Sequence, residues 1–213
     1  MKKIIILILA AILFVPAIEA NTNKELQKAL KKEYKEKKKE FKKGKWEIFG
    51  SSRSLDVALL SHYEKLNSLG ENGREVVGIA SRFKSKNVGH QMAINNACLT
   101  YAQQAGSHLK GRIVSDMDGN GDDSSAEFDH FYAAYERLVE KEIKGEMVES
   151  FSIIRCIDKA TGEYEMQTFF VIDESAATRA RIRAMENALK ESEAAQKYAQ
   201  KVSEFVNEGF VTE

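Results

Sequence analysis

Apolar positions recur along this chain with two periods, and each period marks a different kind of element. Trp46-Glu47-Ile48-Phe49 reads as a short strand, with Gly50 and serines 51, 52 and 54 forming the turn after it. Leu55, Ala58, Leu59, Tyr63 and Leu66 then repeat at helical spacing until Gly70 and Gly73 break the pattern. Glu75-Val76-Val77-Gly78-Ile79-Ala80 predicts a strand over 74–82, and a long helix follows over 87–110. That helix carries alanines at 93, 97, 102 and 105, small enough for close packing of helix on sheet. A Gly/Asp loop over 115–125 leads to an aromatic-rich helix over 127–144. Residues 147–158 and 163–173 alternate well enough for two long strands, joined as an antiparallel hairpin by the turn 158–163. Ile182, Met185, Leu189, Tyr198, Val202, Phe205 and Val206 mark a last long helix over 174–208, with Gly209 as a natural stop.

Strands joined by helices, then a hairpin, predict an α+β fold. Its expected form is a mixed or antiparallel sheet with long packed helices, and a C-terminal hairpin followed by a long helix. The expected organisation is a signal peptide at 1–20, a helical arm at 21–45, a body at 46–173 and the last helix at 174–213.

Composition bounds the class. The chain has 213 residues, 43% hydrophobic and 30% charged, which suits one domain with helical arms and excludes a membrane-spanning bundle or a disordered chain. The 32 basic and 32 acidic side chains cancel, but unevenly. Residues 24–45 hold eleven lysines and four glutamates, a charge of +7, and residues 46–213 carry −8. Leu26, Leu30, Tyr34 and Phe41 give the lysine-rich segment a thin apolar face. The plain expectation is a solvated arm that docks weakly on the body. The sharper one is a polybasic surface for anionic lipid or another polyanion.

The first twenty residues change the picture most. Lys2 and Lys3 precede an unbroken apolar run over 4–15, followed by Pro16, Ala17, Ile18, Glu19 and Ala20. A short basic start, about a dozen apolar residues and small residues at the end describe a secretory signal cleaved after Ala17 or Ala20. The run falls short of the ~20 residues a membrane span needs. The expected product is exported and soluble, in the periplasm or at the outer membrane. Export permits a disulfide, but Cys98 on a helix and Cys156 on a strand read as two small core residues, because no spacing rule brings their Cβ atoms to bonding distance.

A strand ending Val77-Gly78-Ile79-Ala80-Ser81, a polar turn, and an alanine-rich helix with Asn95-Asn96-Ala97 and Tyr101-Ala102 form a recognisable unit. A second helix, the lone Gly145 and a hairpin complete it. Over residues 75–173 the chain resembles the envelope domain of the Lpp-twenty lipoprotein family and the N-terminal domain of the flagellar assembly protein T. The resemblance implies an exported, outer-membrane-associated, non-enzymatic protein. The chain departs from that pattern in having no lipid-bearing cysteine near the cleavage region, and its arm and last helix lie outside the likeness.

One loop carries chemistry. In the run 116–127, Asp116, Asp118, Asn120, Gly121 and Glu127 occupy positions 1, 3, 5, 6 and 12 of the EF-hand calcium loop. Asp122 would offer its backbone carbonyl and Ser124 would sit at the ninth position, often bridged by water. The cofactor this pattern points to is Ca²⁺. Against it, Asp123 stands where the EF-hand usually has an aliphatic residue, no second loop exists, and 111–115 reads as a strand end instead of an entering helix. Glycine, aspartate and serine also fill any solvated turn.

Other signatures are missing. The sequence has no GxSxG elbow, P-loop, GxGxxG or HExxH. Its histidines (62, 90, 108 and 130) stand apart, and Glu163 and Glu165 read as strand-face residues. Export and the acidic body disfavour nucleic acid. The expectation is therefore a non-enzymatic binding or structural protein of the cell envelope, partnered by another envelope protein or by itself, with calcium binding as the alternative.

Overall fold

The computed structural model describes residues 15–117, 125–192, 195–196 and 199–208. Among them are six α-helices and four strands. They are α1 (Val15–Lys43), β1 (Glu47–Phe49), α2 (Leu55–Leu69), β2 (Gly73–Phe83), α3 (Lys86–Met117), α4 (Ser125–Ile143), β3 (Val148–Asp158), β4 (Glu163–Asp173), α5 (Glu174–Leu189) and α6 (Ala199–Glu208). The chain divides into two units, residues 1–45 and residues 46–213. Most of the expected signal segment lies outside the described residues. The fold is α+β, as the periodicities predict, and the sheet is wholly antiparallel.

In the second unit the strands run in the order β1-β3-β4-β2. Asp158 builds the β3–β4 hairpin by accepting the backbone N–H of Ala160 at 2.8 Å and of Thr161 at 3.3 Å. Gly162, at φ 69°, then takes the left-handed turn that a side chain would resist. Register sorts the side chains. Val76 opposite Phe170, Gly78 opposite Thr168 and Ala80 opposite Met166 share one face, while Val77 opposite Phe169 lies on the other.

Both faces are covered. Ser54 caps α2 by accepting the N–H of Val57 at 3.3 Å, and α2 packs His62 edge-on against Phe151 and Phe169. Those two phenyl rings stack with centroids 4.4 Å apart. On the opposite face α3 meets β2 through small residues. A β-carbon built on Gly78 would fall inside the carbonyl of Ala93 and 2.9 Å from the Ala97 β-carbon, so helix and strand touch backbone to backbone. Asn96 completes this approach by donating its side-chain amide to the Ile79 carbonyl at 2.7 Å, on the free edge of the sheet. The main core lies behind, where Tyr101, Ala105, Leu109 and Ile113 of α3 pack with Phe131, Tyr135 and Val139 of α4 and Ala177 and Ala184 of α5.

Three expectations are corrected. Residues 111–115 are helical, not a strand end. Ile113 is 4% exposed and extends the Ala105–Leu109 stripe by one more turn, so packing overrides the β-branched pair Ile113-Val114. The last helix is also broken after Leu189, where backbone bonds from Lys190 to Asn187 and from Glu191 to Ala188 close the turn. Ser192 starts a new segment by accepting the Ala195 N–H at 3.2 Å, which lets α6 bury Val202 and Val206 in the same core. Finally, the two cysteines do not share a core. Cys98 is buried with its thiol 3.5 Å from the Met147 sulfur, whereas Cys156 is exposed beside a register shift at the end of β3, and both are free thiols.

Gly78 and Gly111 should respond to alanine with opposite signs. Gly78→Ala must push α3 off β2 and is expected to cost on the order of 1–3 kcal/mol. Gly111, in α3 with nothing within 4 Å of its would-be β-carbon, should gain about 0.5–1 kcal/mol from the same change. Denaturant melts of the two variants check this, and equal effects would contradict the backbone contact.

Candidate functional site

Asp116 and Glu127, the outer members of the calcium pattern, fall at the end of α3 and in the first turn of α4. Asp118, Asn120, Asp122 and Ser124 lie outside the described residues. The structure thus supplies a helix on each side of the loop. The stems are fastened by Lys110, which donates to Asp129 at 2.8 Å and sits over the Tyr132 ring at 5.3 Å. Among the described residues, no three His, Cys, Asp or Glu side chains gather where they could hold a metal ion.

The densest polar cluster is one that sequence reasoning missed. Arg181 on α5 is 2% exposed, and a charge so deeply placed must be paired. Its guanidinium donates to Glu174 at 2.8 Å, to Thr178 at 2.6 Å and to the Tyr101 hydroxyl. Arg74 of β2 reaches Glu174 at 3.4 Å and Gln104 at 2.6 Å, with its guanidinium 5.4 Å from the centroid of the Tyr101 ring. Burial drives the Tyr101 phenol far above its ordinary range, against the opposing pull of Arg181. Tyr135, also buried, is raised for the same reason. Both phenols therefore stay protonated, and Tyr101 donates to Glu174 at 3.4 Å. The cluster welds β2, α3 and α5 together, and its central groups are closed to solvent.

Two histidines are tied to carboxylates. His62, fully buried, places Nε2 2.5 Å from Glu75. The other ring nitrogen, Nδ1, has no hydrogen-bond partner among the described residues. His90 lies 3.0 Å from Glu149, which also accepts the Ser152 hydroxyl at 2.7 Å. Ser152 has one proton to give, so Thr168, 3.0 Å away, must donate to it. This order puts the carboxylate between serine and histidine, so His90 does not reach Ser152 as a base would.

The cavities agree with this picture of engaged groups. One of about 10 Å³, lined by His108, Tyr135, Arg181 and Phe205, has room for a water molecule at most. An open cleft of about 370 Å³ is lined by Lys65, Glu146, Val148 and Asp173 among others. Glu146 there accepts from Arg183 at 3.1 Å, and Asp173 caps α5 by accepting the Ser175 N–H at 2.9 Å. The carboxylates Glu163 and Glu165 stand on β4, and Glu165 pairs with Arg155 at 2.6 Å. Fold and polar clusters thus describe an antiparallel α+β domain stapled by internal ion pairs. No family model matches the chain, and neither a curated protein nor a solved structure does.

His108 gives this region a pH dependence. Burial first, then Arg112, Arg181 and Arg74, hold its pKa below the ordinary histidine value. A depressed folded value means that the native state resists a proton the unfolded chain accepts. The stability from neutral His108 is complete above about pH 6.5 and drains away as pH falls through the lower native value. Thermal melts between neutral and mildly acid pH should show a falling Tm, and His108→Gln should flatten part of the slope. An unchanged slope would contradict the assignment.

Proposed function

We propose that this is an exported protein of the bacterial cell envelope, in the periplasm or at the outer membrane, that works by binding and not by catalysis. The observation that carries the reading is the segment 1–20, with its two lysines, its apolar run over 4–15 and its small residues at 17 and 20. Among the described residues no helix is long and apolar enough to cross a membrane. The burial of Arg181 and His62 supports a non-enzymatic role, because neither side chain is open to a substrate from solvent. For a partner, an envelope protein or a second copy of the chain, α3 offers Val88, Met92 and Leu99, each more than 40% exposed and spaced to lie on one side of the helix.

Expressed in a bacterial host, the chain should appear in the periplasmic fraction with Ile18 or Asn21 as its first residue by intact mass. Recovery from the cytoplasm with residues 1–20 still attached would sink the reading.

A second reading, a calcium-binding module, is favoured by one observation. The helix α3 continues to Met117 and α4 resumes at Ser125, so the twelve residues 116–127 are bracketed by helices as an EF-hand loop is. The residues that would hold the ion are Asp116, Asp118, Asn120, Asp122, Ser124 and Glu127. Titration calorimetry with calcium chloride should return a dissociation constant of ~10⁻⁴–10⁻³ M, the range of extracellular modules. Asp116→Ala should abolish the heat. Absence of both heat and thermal shift at millimolar calcium would remove this reading.

A further inference from the structure

The arm sorts its charges more sharply than its composition suggests. Within α1, Lys28, Lys31, Lys35, Lys39 and Lys42 are spaced 3, 4, 4 and 3 apart, which at about 100° per residue confines them to an arc of about 80°. All five are exposed, and none has an ion-pair partner among the described residues. Glu33, Glu36 and Glu40 fall in a separate sector, where Glu36 meets Lys32 at 4.0 Å and Glu40 meets Lys37 at 3.6 Å. Leu30, Tyr34 and Phe41 form a third sector; Leu30 and Tyr34 are half-buried and Phe41 is 1% exposed. The helix therefore turns a straight row of ammonium groups to solvent, about 21 Å long at 1.5 Å per residue.

We propose that this lysine row is the docking surface of the arm for an anionic lipid bilayer, engaged through headgroup charge without insertion of apolar side chains. Charge complementarity fixes the partner's sign, and geometry fixes its form. A plane of phosphates meets every member of a straight single-faced row at once. A flexible polyanion gains most by wrapping several faces, and the glutamate sector beside the row repels it. An amphipathic helix that inserts needs a broad apolar face, whereas the arm's is narrow, with Leu30, Tyr34 and Phe41 in a sector separate from the lysines, so the contact is electrostatic. The inference names a partner for the arm and so rests on the envelope reading above. Its test is made in vitro and fails independently of signal processing.

The experiment is sedimentation of the processed chain, residues 21–213, with vesicles of equal parts phosphatidylglycerol and phosphatidylcholine, and with pure phosphatidylcholine vesicles. Binding is expected to the anionic vesicles alone and to be lost at about 0.5 M salt, where screening is a few ångströms. Replacing the five lysines with glutamine should weaken partitioning on the order of a thousandfold, at about a fivefold to tenfold loss per lysine. Replacing them with arginine should retain it, and circular dichroism of both variants should show the helix intact. Equal binding to neutral vesicles, indifference to salt, or undiminished binding by the glutamine variant would overturn the proposal. So would binding to soluble heparin with none to anionic vesicles, which would assign the row to a soluble polyanion.

Discussion

The backbone contact between α3 and β2 is the constraint on which the rest of the second unit depends. Gly78 has no β-carbon, and Ala93 and Ala97 have little more, so a helix of 32 residues lies directly on an edge strand. That depth lets a single helix bury Cys98, Tyr101, Ala105, Leu109 and Ile113 in succession. It sets the height at which α4 and α5 pack behind it, and it carries Asp116 to one end of the calcium-like loop. The cost of seating so long a helix on one strand is borne by side-chain size, because larger residues at these three positions would lift it away.

A buried charge fixes how the third layer sits. Burying Arg181 would be strongly unfavourable on its own, and Glu174, Thr178 and Tyr101 offset that cost through hydrogen bonds from two elements. An apolar core tolerates small slides between helices, whereas a guanidinium with three assigned acceptors does not. The cluster thus contributes less to raw stability than to a single orientation of α5 against α3. Arg74 extends the same register to the sheet.

Legibility followed the range of the interactions. The strand over 163–173 was readable to the residue, because its β-branched and aromatic run Phe169-Phe170-Val171-Ile172 supplies side chains to both covered faces of the sheet. The helix over 111–117 was not, because Ile113-Val114 taken alone favours a strand and burial of Ile113 in the core shared with α4 reverses the choice. The break after Leu189 had a local signal in Ser192, a capping residue three positions before Ala195, hidden by the strong helical pattern around it. Of the polar sites, only the acidic run 116–127 could be seen in advance, because its pattern is contiguous. Tyr101 and Arg181 stand 80 positions apart, and His62 and Glu75 lie on different elements, so sheet register and helix seating alone bring them together.

Asn96 has a consequence beyond packing. The outer side of β2 is an eleven-residue edge, the kind of surface on which a second extended chain can template itself. By occupying the Ile79 carbonyl near the middle of that edge, the Asn96 amide removes an acceptor an incoming strand would need. The register shift between Ser81 and Phe83, with Arg82 at φ 58°, kinks the strand a few residues further on. Two short-range devices thus shorten the usable edge and guard the sheet against runaway strand addition.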